Sequence, residues 1–221
     1  SVTDHTDFVG ANVTGGSTVR TFTIRNLEVL PLNLTGSPKV QISGPHASEF
    51  TVTSEPASPV ASLQGSSTFQ ITFDPAAFGE RSATVSIASD DASVPVFSFA
   101  ILGRGVEPDL VVEQPARTAL LDEETRDLGK VALGSGRNMV FTVKNAGAAG
   151  SQLADFAITL DGADAGDFSV VDSPDAPVAG PAGLTTFTVR FAPGTIGPKS
   201  AMLHLTSNDS DASPFDIHLT G

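Results

Sequence analysis

The seven residues FQITFDP at 69–75 return as FTVRFAP at 187–193, 118 positions later. The echo is long. PVASLQGSSTFQITFDP (59–75) aligns with PVAGPAGLTTFTVRFAP (177–193), SEF (48–50) with GDF (166–168), SDD (89–91) with SND (207–209), and FSFAILG (97–103) with FDIHLTG (215–221), all at that shift. Further upstream, RTFTIRN (20–26) answers MVFTVKN (139–145) at a shift of 119, as a one-residue difference in a loop gives. A chain of 221 residues that repeats at this spacing reads as two copies of one domain of ordinary size. The join falls in GRGVEPDLVVEQP, where Gly103 and Gly105 close the first unit and Pro108 stiffens a short link. The expected domains are therefore 1–105 and 106–221, held as a semi-rigid pair.

Each copy alternates with period two. Phe69, Ile71 and Phe73 share one face, as do Phe187, Val189 and Phe191 in the second copy. Ala83, Val85 and Ile87 match Ala201, Leu203 and Leu205. The closing strands match as well, with Phe97, Phe99 and Ile101 answering Phe215, Ile217 and Leu219. One apolar and one polar face per strand predicts antiparallel sheets with one side on a core. Turn-forming runs such as DPAAFGE, APGTIGP and SNDSDASP separate the strands. The expected fold is all-β, two tandem immunoglobulin-like β-sandwiches of about seven antiparallel strands each. The first copy begins close to its TFTIRN strand and lacks the strand that LVVE (110–113) supplies to the second. An upstream segment is expected to complete it, and SVTDHTDF reads as the start of a trimmed piece.

Charge and composition narrow the partners. The net charge is −13, from 25 acidic and 12 basic residues, so nucleic acid and anionic membrane surfaces are poor partners. No Cys is present, which excludes disulfides and thiolate metal sites. The absence of Trp and Tyr removes the flat amphipathic rings on which sugars usually stack. No apolar run reaches the roughly 18 residues of a membrane-spanning helix.

The first copy, with FTIRN, the run SEFTV and the segment FDPAAFGERSATV (73–85), and the second, with FAPGTIGPKSAML (191–203), together resemble the choice-of-anchor D domain. That family is similar to the immunoglobulin-like ASH and major-sperm-protein group. The usual Asn-x-Gly turn is kept at Asn145-Ala146-Gly147 and replaced by Asn26-Leu27-Glu28 in the first copy. The segment TALLDEETRD (118–127) is a further departure. The resemblance implies a spacer, adhesive or scaffolding module on a longer bacterial surface or secreted protein, and no active site.

The search for chemistry gives two sets of residues. In LDGADAGDF, Asp161, Asp164 and Asp167 form an acidic Gly-rich loop of the sort that can surround calcium. The repeat argues against it, because the first copy has Ser43 and His46 in place of Asp161 and Asp164. A hairpin carrying His204 and His218 is the corresponding zinc candidate, and the first copy has Ser86 and Ala100 there. No cofactor is expected, DEE (122–124) reads as a solvated loop, and Lys130, Lys144 and Lys199 read as outward or loop-borne. No GxSxG, HExxH or Walker-type motif appears, so the chain reads as non-catalytic. The leading expectation is a tandem spacer or adhesive stalk at a bacterial surface, whose partners are the other domains of its chain and a protein ligand. The alternative is a specific protein-binding scaffold using a strand edge or end loops, including an intracellular ASH-type scaffold.

Overall fold

The computed structural model describes residues 5–221, and they are all-β. The chain divides into two compact units, one ending at Glu107 and one running Pro108–Gly221. In the first unit the strands are β1 (Asp7–Asn12), β2 (Thr18–Asn26), β3 (Val40–Ser43), β4 (Phe50–Ser54), β5 (Gly65–Phe73), β6 (Gly79–Ala88) and β7 (Val96–Val106). They form two sheets, ordered β1-β7-β6-β3 and β2-β5-β4. In the second unit they are β8 (Leu110–Glu113), β9 (Glu124–Asp127), β10 (Arg137–Asn145), β11 (Gln152–Leu153), β12 (Ala157–Asp161), β13 (Phe168–Asp172), β14 (Val178–Ala179), β15 (Leu184–Phe191), β16 (Ser200–Thr206) and β17 (Phe215–Thr220). Here the main sheets are β12-β16-β17-β9 and β13-β15-β10-β8, with the short pair β11-β14 beside them.

The repeated stripe is the core. Phe22 pairs across strands with Phe69 and stacks on it at 5.2 Å, as Phe141 pairs and stacks with Phe187 at 4.9 Å. Phe50 on Phe73 at 4.7 Å repeats as Phe168 on Phe191 at 4.8 Å. Such ring pairs add to the large apolar area each Phe removes from water. The aliphatic residues of β6 and β16 close each core from the opposite sheet.

The structure corrects several sequence expectations. The strands are not all antiparallel, since β1 runs parallel to β7 and β9 parallel to β17. TALLDEETRD is the approach to β9 and β9 itself, with Asp122 and Glu123 of DEE in an exposed turn and Glu124 opening the strand. Glu124 pairs with Arg126, its other oxygen accepts the Leu121 N–H, and Asp122 accepts the Asp216 N–H at 2.7 Å. Gly103 and Gly105 lie inside β7, which runs on to Val106. Their lack of a side chain serves packing, because a Cβ on Gly103 would meet the Phe73 ring at 2.5 Å. Replacing Asn-x-Gly by Asn26-Leu27-Glu28 leaves the turn intact. The Asn side chain carries it, with Asn26 Oδ1 accepting the Glu28 N–H at 3.0 Å as Asn145 Oδ1 accepts the Gly147 N–H. Phe97, expected inward, is 58% exposed, whereas its counterpart Phe215 is 7% exposed.

β8 pairs antiparallel with β10 at the edge of its sheet, and among the described residues β2, the counterpart of β10, pairs with β5.

Candidate functional site

The acidic loop of the second unit follows β12. Gly162, at φ 105°, turns the chain with its Cα close over Ala201, as Gly44 at φ 112° does over Ala83. A single 3-10 turn, Ala165–Asp167, then leads into β13, matching Ala47–Glu49 before β4. This geometry aims Asp164 and Asp167 at the start of β16.

What they meet there is Lys199. Its Nζ lies 3.1 Å from Asp164 Oδ1 and 3.3 Å from Asp167 Oδ2, and donates to Thr195 Oγ1 at 2.8 Å. An ammonium has three protons, and all three have acceptors. The remaining oxygens are used as well. Asp164 Oδ2 accepts the Ser200 N–H at 3.1 Å, and Asp167 Oδ1 accepts the Gly194 N–H at 2.8 Å. The Lys199 hydrogen bond holds the Asp164 carboxyl below the usual carboxylate range, and that same bond raises the ammonium's pKa. Lys199, read from the sequence as outward or loop-borne, lies in the loop just before β16, and its side chain is only 11% exposed because the two carboxylates draw it in.

The first unit builds the same lock from different residues. Arg81 stands where Lys199 does, donating through Nε to Glu49 Oε2 at 2.8 Å and through Nη2 to Glu49 Oε1. His46 replaces Asp164, and its Nδ1 accepts the Ser82 N–H at 3.0 Å, as Asp164 accepts that of Ser200. The Glu49 carboxyl is held low, chiefly by the Arg81 hydrogen bond. An acid closing the 3-10 turn and a base at the start of β6 or just before β16 therefore recur with the repeat. Their common sign at a shift of 118 was the sequence signal that could have found them.

The third acid of the loop goes elsewhere. Asp161 is at the end of β12 and mostly exposed, and its Oδ2 lies 3.3 Å from His204 Nε2. His204 Nδ1 lies 2.7 Å from Asp216 Oδ1, its direct cross-strand neighbour. His218 instead stands opposite Met202, one pleat away, with an exposed side chain. The fold thus brings His204 to two carboxylates, Asp161 of the acidic loop and Asp216 of the neighbouring strand, and both ring nitrogens face an acid. The Asp216 hydrogen bond, with Asp161 adding to it, raises the imidazole pKa.

Two buried groups have roles that the sequence did not reveal. Asn145, fully buried, donates to Val178 O at 2.9 Å and Ser151 Oγ at 3.1 Å and accepts the N–H groups of Gly147 and Asp109. Asp209, 1% exposed, accepts the Leu110 N–H at 2.6 Å, and burial pushes its carboxyl up. Both tie β8 into place.

What these features define is a class: tandem all-β sandwiches whose charged side chains are spent on their own loops and edges. No family model matches the chain, and no curated protein matches it. Among solved structures it is similar to a protein of unknown function from Porphyromonas gingivalis W83, at 14% identity over 92% of this chain and 90% of that one, with a TM-score of 0.39. It is similar to the secreted serine protease VesC from Vibrio cholerae, at 14% identity over 84% of this chain and 44% of that one, with a TM-score of 0.37. The S-layer protein SbsC, domains 5-6, gives 15% identity over 96% of this chain and 91% of that one, with a TM-score of 0.26. Such distant likenesses assign no activity. Among the described residues no helix is long and apolar enough to cross a membrane.

Proposed function

We propose that this chain is a non-catalytic structural or adhesive module of a larger bacterial surface or secreted protein, made of two choice-of-anchor-D-like sandwiches. The observation that supports it most is the fate of the residues best suited to chemistry. Asp164, Asp167 and Lys199 close one loop, and His204 is held between Asp161 and Asp216. The first unit reaches the same loop geometry with Glu49, Arg81 and His46. A constellation that recurs in kind, with its residue types exchanged, serves the shape of the loop and not a reaction. The names of the secreted protease and the S-layer protein agree with a surface location without establishing one.

Its test is where the natural protein sits. Antibodies against these 221 residues, applied to intact cells of the source organism before and after brief protease treatment, should label the surface and lose that signal on shaving. A signal confined to the cytosolic fraction would sink the proposal and make an intracellular scaffold the better reading.

A further inference from the structure

The corner that opens the acidic loop carries chemistry that the first unit lacks. Asp161-Gly162 is the one Asp-Gly step in the chain, and the first unit has Ser43-Gly44 at the same register. β12, the outer strand of its sheet, ends at Asp161, and Gly162 turns the chain away at φ 105°. The Asp161 side chain is 72% exposed, so water reaches it freely. Asp164 and Asp167, by contrast, are tied to Lys199.

A side-chain carboxylate can close a five-membered ring on the main-chain nitrogen that follows it. Bulk on the following residue hinders that approach, and glycine has no Cβ to supply it. Ring closure also needs an acid, because the displaced oxygen must depart as water.

His204 is placed to be that acid. It stands on β16 diagonally across from Asp161, within reach of a cross-strand neighbour, and its Nε2 lies 3.3 Å from Asp161 Oδ2. Its Nδ1 lies 2.7 Å from Asp216 Oδ1, which holds the ring and raises its pKa. A charged imidazole carries a proton on each nitrogen, so Nε2 has one to give to Asp161. The first unit has Ser86 and Ser98 in place of His204 and Asp216, and their hydroxyls lie 3.0 Å apart. The repeat therefore needs neither the acids nor the imidazole to make this corner.

We propose that Asp161-Gly162 is a self-modification site, at which the folded chain forms a succinimide and then isoaspartate with His204 as proton donor. The Gly162 nitrogen bonds to Asp161 Cγ while the Cγ–Oδ2 bond breaks. The oxygen leaves as water, carrying the amide proton and the Nε2 proton, and the imidazole regains a proton from solvent. Water then opens the ring. Addition at Cγ restores aspartate. Addition at the Asp161 main-chain carbonyl sends the chain through Cγ, one methylene longer, with the free carboxylate now on Cα and withdrawn from His204. The reaction draws only on water and on this chain's own residues, so it stands or fails apart from where the protein is located.

The test holds the 221-residue chain folded at neutral pH for weeks and then sequences its tryptic peptide 145–190. Electron-transfer fragmentation breaks isoaspartate between Cα and Cβ and so places it. A form lighter by one water is expected first and an isoaspartyl form of unchanged mass after it, both at Asp161 and neither at Asp155, Asp164, Asp167 or Asp172. Asp161→Ser, the residue of the first unit, should abolish both. His204→Gln, folded under the same conditions, should slow them at least about tenfold, a modest share for a proton donor within reach. Ser43→Asp, Ser86→His and Ser98→Asp made together should install the reaction at position 43. Ser43→Asp alone should react there at least about tenfold more slowly, a difference that a merely structural histidine does not produce. No modification at Asp161, or a rate that His204→Gln leaves unchanged, would overturn the proposal. So would a triple variant that reacts no faster than Ser43→Asp alone.

Discussion

Val9 and Gly129 hold the same left-handed corner in the two repeats, at φ 61° and 72°. Each donates its N–H at 2.7 Å to the Asp two residues earlier, Asp7 in one unit and Asp127 in the other. Only glycine adopts that backbone without a Cβ penalty, and a β-branched residue is the worst choice for it. Val9→Gly should therefore stabilise the first unit. The relief of about 1–2 kcal/mol is partly offset by the flexibility glycine adds to the unfolded chain, leaving a net gain of up to about 1 kcal/mol. Gly129→Val should cost the second unit about 1–2 kcal/mol. Thermal unfolding of the two variants checks both signs, and equal effects in the two units would contradict the argument.

The Glu49–Arg81 lock should be felt when one side is removed. Glu49 is 7% exposed, and Glu49→Gln leaves Arg81, itself little exposed, without its charged acceptor. A loss of roughly 5 °C in the melting temperature of the first unit is expected near neutral pH. The Glu49 carboxyl is held low in the folded state, so the stability it contributes is present above the unfolded pKa near 4.5 and disappears as pH falls through the folded value. The gap between the native chain and Glu49→Gln should close in acid. A gap that persists or widens there would show that the ion pair is not its source.

Calcium should leave the second unit unchanged. Asp164 and Asp167 face Lys199 from both sides, so a cation entering between them must displace an ammonium with all three acceptors in place. Differential scanning calorimetry with millimolar calcium and with chelator should give superimposable transitions. An upward shift with calcium would mean that Asp161, Asp164 and Asp167 form a site after all.

Much of the fold was legible because the repeat doubled every signal. The Phe-x-aliphatic-x-Phe stripe on β5 and β15 announced two cores. The parallel strands β1 and β9 were not legible. Their pattern is short, ETRD has no apolar face, and its pairing with β17 comes from main-chain bonds that leave no mark on side-chain choice. How the candidate residues group was not legible for a related reason. Asp161, Asp164 and Asp167 are close in sequence, so they looked like one group, but the base that divides them, Lys199, lies 35 positions from Asp164. His204 and His218 alternate correctly on their strands, and only the register of β16 on β17 decides that His204 faces Asp216 instead.

His204 gives the second unit a dependence on pH of predictable sign. Asp216 first and Asp161 second raise its pKa above the ordinary 6.5. Stability from the charged imidazole is fully present below that unfolded value and is lost as pH rises through the folded one. His204→Gln should therefore melt several degrees below the native chain at about pH 5.5 and close to it at about pH 9. Asp216→Asn should lower the melting temperature more in acid than in alkali. A His204→Gln deficit that is constant across this range would assign the residue a packing role alone.

Gly103 and Gly221 test how far the packing itself, and not the charges, defines the repeat. Gly103 lies within β7 and Gly221 directly follows β17, each against the Phe that ends the central stripe, Phe73 or Phe191. Phe73 is fully buried and stacked on Phe50, so its ring cannot swing away from an added methyl without opening the core. Gly103→Ala should cost about 1–3 kcal/mol, the usual range for overpacking. Combining it with Phe73→Leu, which vacates part of the ring's volume, should recover much of the loss that Gly103→Ala adds. The comparison is Gly103→Ala in the native background against Gly103→Ala in the Phe73→Leu background, each by chemical denaturation. Strict additivity between two residues in such contact would mean that the glycine is required for backbone reasons and not by the ring above it.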